Sequence, residues 1–315
     1  MKQSLPKHGK KQPADRPRNA GDDWKTRLLR AGFWLMKLST HLKYPVMMRI
    51  GRFIGRRVMQ LDVEHSKIAA INIDTCFPIL SPQQNRELLH SHFEHVGMGI
   101  MEMAISWWMS DEQFKTLIHL KGMSHLEAAL QKGHGVIFSS AQNTTPEILS
   151  RCIAKMIPTT EVYHPHRNAF IDEMIRKNRG KLLRRILMHE DLKTITETLK
   201  NNQAVLFTHD AQPGHKQFIF TKFFDVDAAT NTAVSRFARM TKAPVIPVTV
   251  TRREDNDGYN LIFESPLPGF PGTDIETDTQ RINLAIERWV DKDPAQYGWS
   301  HPRFRERPAG EPRFY

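Results

Sequence analysis

A chain of 315 residues with 40% hydrophobic content is long enough to bury a large core, either as one α/β domain or as a domain with an appendage. The net charge of +11 and a pI near 9.7 point to an anionic partner surface, for which nucleic acid, acidic phospholipid and an acidic carrier protein all qualify. The two cysteines, Cys76 and Cys152, match no metal-ligand spacing and make no disulfide framework, which fits a reducing cytosolic compartment, and the polar opening residues lack the apolar core of a secretory signal.

Residues Met1 to Asp23 are poor in apolar side chains and read as a disordered basic arm. From Trp24 to Leu61, apolar residues such as Leu28, Phe33, Trp34, Met47 and Phe53 are interleaved with Arg27, Arg30, Arg49, Arg52 and Arg56. A spanning helix needs roughly 20 mostly apolar residues, and no uncharged run here approaches that. The pattern predicts an interfacial helix pair broken at Tyr44-Pro45, with basic side chains facing anionic headgroups. An amphipathic helix packed on the core with a solvated basic face is the plainer alternative. Ser66 to Trp108 reads as helices around Cys76-Phe77-Pro78, with Ser81 as N-cap and Pro82 at the first position of the next helix. His90, His92 and His95 have no Cys or carboxylate pair to complete a metal site, and are expected at the surface.

The chain is organised around Gly133 to Glu147. Val136-Ile137-Phe138 follows a Gly-bounded turn and ends in polar residues, which reads as a buried parallel strand emptying into a loop at its carboxyl end. Thr145 stands where an N-cap would, Pro146 suits the first helical position, and Glu147 falls in the first turn, where the helix dipole favours negative charge. In open α/β sheets ligands collect outside the carboxyl ends of strands, so Ser139 to Glu147 lies where chemistry is expected. Glu161-Val162-Tyr163 is a short strand, and a basic run containing Arg176, Lys177, Arg179 and Lys181 follows, which reads as a helix face turned to phosphate groups, to an acidic carrier protein or only to solvent. Asp191-Leu192 opens a further helix. Ala204 to Thr208 is a second strand of the buried parallel type, ending in His209-Asp210, so Asp210 is expected to share a pocket with Glu147. Ala243 to Thr251 is a third strand. Asn256-Asp257-Gly258 is the turn of a hairpin returning through Tyr259 to Phe263, and a last helix runs from about Thr279 to Asp291.

Several of these segments resemble the lipid A late acyltransferases, the lauroyl and myristoyl transferases, whose motif is His-x4-Asp/Glu. Here the motif reads Gln142-Asn143-Thr144-Thr145-Pro146-Glu147, with the carboxylate in place and glutamine at the histidine position. Tyr163, Pro165 and Asn168 match a Tyr-Arg-Pro-x-x-Asn segment, with His164 where arginine is usual. Asp210 and Gly214 match the loop after the second strand, with His209 in place of proline. Ser235-Arg236 resembles the segment before the next helix. Pro294 to Pro308 closely resembles the ending Pro-Glu-Gln-Tyr-x-Trp-x-His-x-Arg-Phe-Lys-x-Arg-Pro. The resemblance covers about Trp24 to Tyr315. It implies a lysophospholipid acyltransferase-like α/β fold over residues 62–315, a mostly parallel central sheet flanked by helices, behind an N-terminal membrane-associated segment over residues 24–61. It further implies transfer of a fatty acyl chain from an acyl-carrier or CoA thioester to a hydroxyl of a lipid A precursor or related glycolipid. The reaction would run at the anionic cytoplasmic face of the inner membrane, with no cofactor and no metal. Glu147, Gln142 and Asp210 then take the catalytic positions, and His164, Asn168, Ser235 and Arg236 the substrate-binding ones. The apolar stretch Met98 to Trp108 is either core packing or a wall for the acyl chain.

Acyl transfer from a thioester needs a base near the acceptor hydroxyl, a group that orients that base, and donors for the oxyanion. An amide is not a useful base, so Gln142 leaves three readings open. Gln142 binds the hydroxyl or the oxyanion while Glu147, His164 or His209 serves as base; or the chain binds lipid or carrier without turnover; or the position carries a substituted residue. A basic nucleic-acid-binding protein is the alternative from another class, but no helix-turn-helix, zinc-finger or RNP pattern appears.

Overall fold

A computed structural model describes residues 24–166, 168–188, 191–210, 218–255 and 257–315. The basic arm expected over Met1 to Asp23 lies outside these residues, as do Gly214 and Asn256. Helices lead: α1 (Trp24–Ser39), α2 (Tyr44–Leu61), α3 (Val63–Cys76), α4 (Pro82–Trp108) and α5 (Asp111–Thr116). Strands and helices then alternate through β1 (Ile118–Lys121), α6 (Met123–Leu130), β2 (Val136–Ser140), α7 (Pro146–Met156), β3 (Thr159–Val162) and α8 (Ala169–Arg179). There follow β4 (Arg185–Leu187), α9 (Leu192–Lys200), β5 (Ala204–Thr208), β6 (Phe218–Phe223), β7 (Val226–Asn231), α10 (Ala233–Thr241), β8 (Val245–Arg252), β9 (Tyr259–Phe263) and α11 (Ile275–Lys292).

The seven-stranded sheet has the order β1-β9-β8-β2-β5-β3-β4, and β6 and β7 form a separate antiparallel hairpin. All neighbours in the large sheet are parallel except β8 and β9, which are joined as a hairpin. Every residue of β2 is buried, as the unbroken apolar run predicts for a strand covered on both faces. Alternation along the strands divides the core: Val136, Phe138 and Leu206 pack with α4 and α7 on one face, while Ile137, Val205 and Phe207 pack with α9, α10 and α11 on the other.

Local chemistry sets the helix starts. Ser81 forms a complete capping box with Gln84, and the Asp191 side chain accepts from the Lys193 and Thr194 N–H groups. Thr145 occupies the N-cap of α7 but its hydroxyl does not cap the helix; it turns to the Val250 carbonyl at 3.2 Å, while Asn143 Oδ1 accepts from the Thr145 N–H at 2.9 Å.

The break at Tyr44-Pro45 separates α1 from α2 as expected. One face of α2 is buried against α4, where Gly51, Gly55 and Gly97 let the two backbones touch. A Cβ on Gly97 would collide with the Gly51 carbonyl and with the Gly55 backbone. Backbone atoms cannot swing aside as a flexible side chain does, so Gly97→Val is expected to cost about 3 kcal/mol or slightly more, measured as a shifted denaturant midpoint at unchanged slope.

One expectation is corrected here. His90 is exposed, but His92 is fully buried and His95 is half-buried, with its ring nitrogen 2.8 Å from Arg252 Nη1. Residues three apart lie on the same helix face, and on α4 that face meets the core rather than solvent. Burial keeps both rings neutral, with the His92 pKa pushed down to about 4 and that of His95, further opposed by Arg252, to about 2.

Candidate active site

Residues Ala141 to Thr145 form the loop between the carboxyl end of β2 and α7, and three neighbours fix its path. Asp210, just past β5, accepts the Gln142 N–H on Oδ1 at 2.7 Å and the Tyr297 hydroxyl on Oδ2 at 2.6 Å. Burial pushes the Asp210 carboxyl up, and Arg303 and these donors pull it back toward ionisation. Arg252, paired with Glu102 on α4 at 2.6 and 2.8 Å, donates to the Thr144 carbonyl at 3.0 Å and to its hydroxyl at 2.8 Å. The C-terminal tail lies along the loop: Thr144 N–H donates to the Gln296 carbonyl, and Gly298 N–H to the Gln142 carbonyl, both at 3.0 Å. Even a Cβ at Gly298 would stand only 3.0 Å from the Gln142 Cβ, so the close approach favours glycine. This pairing carries Ser300 and His301 to the side of Gln142.

Glu147 is buried at 4% exposure, and both its oxygens are engaged. Arg179 donates to Oε1 from Nε at 3.0 Å and from Nη2 at 2.6 Å, and Trp107 Nε1 donates to Oε2 at 2.8 Å. The same guanidinium binds Glu161 on β3, whose other oxygen accepts from Ser150 at 3.0 Å. Thus one cation of the basic run, Arg179, faces inward and bridges two carboxylates, while Arg176 and Lys177 stay exposed.

Two cavities meet at the loop. One, of about 670 Å³, is mixed in character and holds the more polar residues, among them His164, Asn168, Glu161 and Thr208. The other, of about 700 Å³, runs between α1 and α4 past Leu28, Leu29, Phe33, Met36, Ile100 and Met103. Gln142, Asn143, Pro146, His166, Ser300 and His301 belong to both walls. Within the stretch from Met98 to Trp108, Met98 and Met101 pack in the core whereas Ile100 and Met103 face the apolar cavity.

The residues singled out in the sequence are thus distributed unevenly. Gln142 stands at the junction, Glu147 at the apolar wall, and His164 and Asn168 at the polar one. The Asn168 side chain is occupied in capping α8, accepting from Phe170 N–H at 3.0 Å and Ile171 N–H at 3.2 Å. Asp210 lies behind Gln142, at 1% exposure, and lines neither cavity. Ser235 and Arg236 sit on α10, outside both linings, with the Ser235 hydroxyl 3.4 Å from that of Thr279. His209 is buried outside the two large cavities, with no partner among the described residues for either ring nitrogen and a pKa pushed down to about 3 by burial. Arg179, Trp107, Tyr297 and Ser300 fall within stretches that the sequence marks, the basic run, the apolar stretch and the tail, but no local pattern singles out these four residues within them. Among the described residues, no His, Cys, Asp and Glu group is arranged to hold a metal ion.

The fold is that of an α/β protein whose two large cavities share a wall at the carboxyl edge of a mostly parallel sheet, the place where ligands collect in such folds. The family model described as bacterial lipid A biosynthesis acyltransferase matches residues 20–306, and the chain belongs to that family. It is 31% identical over 298 residues to a lipid A biosynthesis lauroyltransferase of Escherichia coli (strain K12), covering 92% of this chain and 97% of the relative. It is 28% identical over 285 residues to a lipid A biosynthesis palmitoleoyltransferase of the same organism, covering 90% and 93%. A solved 1-acyl-sn-glycerophosphate acyltransferase from Thermotoga maritima aligns with a TM-score of 0.35 at 14% identity, over 78% of this chain and 99% of that one.

Proposed function

We propose that this chain transfers a fatty acyl group from a thioester donor to a hydroxyl of a lipid A precursor, with Gln142, Glu147 and Asp210 building the site. The observation that carries the reading is the meeting of the two cavities at Gln142. An acyl chain fits between Leu28, Phe33, Ile100 and Met103, and a sugar headgroup fits beside His164 and Asn168, so the ester carbonyl falls at the shared wall. Gln142 donates to the oxyanion there, Asp210 fixes the loop that holds it, and Glu147 with Arg179 holds the floor of the apolar cavity. The test is acylation of a lipid A precursor by the purified protein, with an acyl-carrier thioester and an acyl-CoA supplied separately, in mixed micelles, read by mass. A product heavier by one acyl group supports transfer, and the donor that works settles between carrier and CoA. A binding-only relative is the second reading, favoured by the amide at the motif-histidine position; donor binding without product would establish it.

The acceptor is a lipid, so the site must reach a bilayer. Trp34 at 64%, Leu35 at 59% and Leu38 at 51% exposure stand on α1, beside the exposed basic residues Arg27 and Arg30. Among the described residues no helix is long and apolar enough to cross a membrane. We infer attachment in the interface plane of an anionic leaflet, held by these exposed apolar and basic side chains. Trp34→Ser combined with Leu35→Ser is expected to weaken binding to anionic vesicles by at least about tenfold, since burying each such side chain contributes about 1.5–3 kcal/mol. Unchanged flotation with vesicles would locate the contact elsewhere.

A further inference from the structure

We propose that Ser300 is the acyl-accepting nucleophile of this enzyme and His92 its base, so that the chain moves from donor to acceptor through an ester on Ser300. The proposal deepens the acyltransfer reading and rests on it.

The geometry is that of an activated serine. His92 Nε2 lies 3.0 Å from Ser300 Oγ, and His92 Nδ1 lies 3.3 Å from the Ala295 main-chain carbonyl. A proton on Nδ1 directed at that carbonyl leaves the Nε2 lone pair to accept the Ser300 O–H, the tautomer that an activated serine requires. The carbonyl occupies the place that a carboxylate takes in a hydrolytic triad. Both the Ala295 and Tyr297 carbonyls raise the ring's affinity for a proton, against burial and Arg252, which lower it. His92, 0% exposed, borders the apolar cavity but not the polar one, whereas Ser300 lines both next to Gln142 and carries the basicity of the ring to the shared wall. The other imidazole shared by both walls besides His301 is His166, and its Nδ1 already accepts the Asn168 N–H at 3.0 Å, leaving that ring a donor.

The steps balance without a further reactant. Ser300 Oγ bonds to the thioester carbon while its proton passes to His92 Nε2, and the oxyanion meets the Gln142 amide. The C–S bond breaks as the sulfur takes the proton from His92 and leaves as a thiol. The acceptor hydroxyl then attacks the Ser300 ester, giving its proton to His92, and Ser300 Oγ departs with that proton restored. Two chemically matched half-reactions of this kind need one base rather than the motif histidine.

The experiment uses the full chain with a dodecanoyl thioester in micelles, acid-quenched either before or after lipid A precursor is added, and then digested with trypsin. The peptide spanning Asp293 to Arg303 is expected to carry the dodecanoyl mass on Ser300, hydroxylamine-labile and chased off by lipid A precursor. Ser300→Ala is expected to lose at least about 100-fold in turnover with the fold intact. Ser300→Cys should retain a chaseable adduct, and His92→Gln, which keeps a partner for Ser300, should lose it. Transfer by the native chain that Ser300→Ala leaves unchanged overturns the proposal while the acyltransfer reading stands. A turnover loss in Ser300→Ala with no adduct in the native chain makes Ser300 a proton relay and overturns the covalent step. An adduct without transfer to lipid A precursor supports the nucleophile and overturns the acceptor. Absence of both adduct and transfer overturns both.

Discussion

Replacing Arg179 by methionine is expected to destabilise the protein by about 3–5 kcal/mol, because removing one partner of a buried ion pair strands the charge left behind. Here two charges are stranded. Arg179, Glu147 and Glu161 have side-chain exposures of 7%, 5% and 7%, and the guanidinium is the cation shared between the carboxylates. Trp107 and Ser150 each supply one hydrogen bond, which satisfies lone pairs but neutralises nothing. The pH dependence has a definite sign. Burial, helped by Glu147 and opposed by Arg179, already raises the Glu161 pKa, and losing the guanidinium raises it further. A carboxyl whose folded pKa is raised binds a proton more readily folded than unfolded, so the variant's deficit is largest near pH 8 and shrinks as pH falls toward the ordinary carboxylate range. Chemical denaturation at pH 8 and pH 5.5 measures it, and adding Glu161→Gln should recover part of the loss at pH 8. A deficit that grows on acidification would mean that the carboxylates find another cation.

Much of this fold is legible in the chain because burial writes a clear signature. Val136 to Phe138 and Ala204 to Leu206 are apolar without interruption and prove to be central strands, and Ser81 with Pro82 announces α4. The edges were harder. β1 and β4 are short strands whose side chains are partly or wholly exposed, and Arg185-Ile186-Leu187 merges into the preceding basic run. The site divides in the same way. The Gln142 to Glu147 loop follows from a strand emptying into a helix start, whereas Arg179 is one cation among several until the fold shows which of them turns inward. Ser300 carries no signal at all in one dimension. Its position depends on Thr144 and Gly298 pairing the tail to the motif loop across more than 150 residues of sequence. The resemblance of Pro294 to Pro308 marked that tail as specific without saying what it touches, and the structure answers that it is the second wall of the site.

In the Ser300→Ala background, where the His92–Ser300 route is closed, Gln142→His is expected to raise acyl transfer by about 10²–10⁴-fold, the usual contribution of a well-placed general base. The imidazole would stand at the junction of the cavities, where the acceptor hydroxyl must approach. Glu147, five positions on, uses three of roughly four carboxylate acceptor sites on Arg179 and Trp107, so one remains for the histidine Nδ1–H. That bond would fix the tautomer that leaves Nε2 free to take the acceptor proton. The variant also separates the two chemical routes. A base at position 142 lets the acceptor hydroxyl attack the thioester directly, which makes Ser300 dispensable. Ser300→Ala should therefore cripple the native chain but cost less than about tenfold when combined with Gln142→His, far below the loss of a general base. Steady-state kinetics should change with it, from parallel double-reciprocal lines in the native chain, the mark of a ping-pong mechanism, to intersecting lines in the double variant. If Gln142→His gives no gain and fails to rescue Ser300→Ala, then Glu147 is locked too firmly by Arg179 to orient an imidazole, and position 142 serves only to bind the oxyanion.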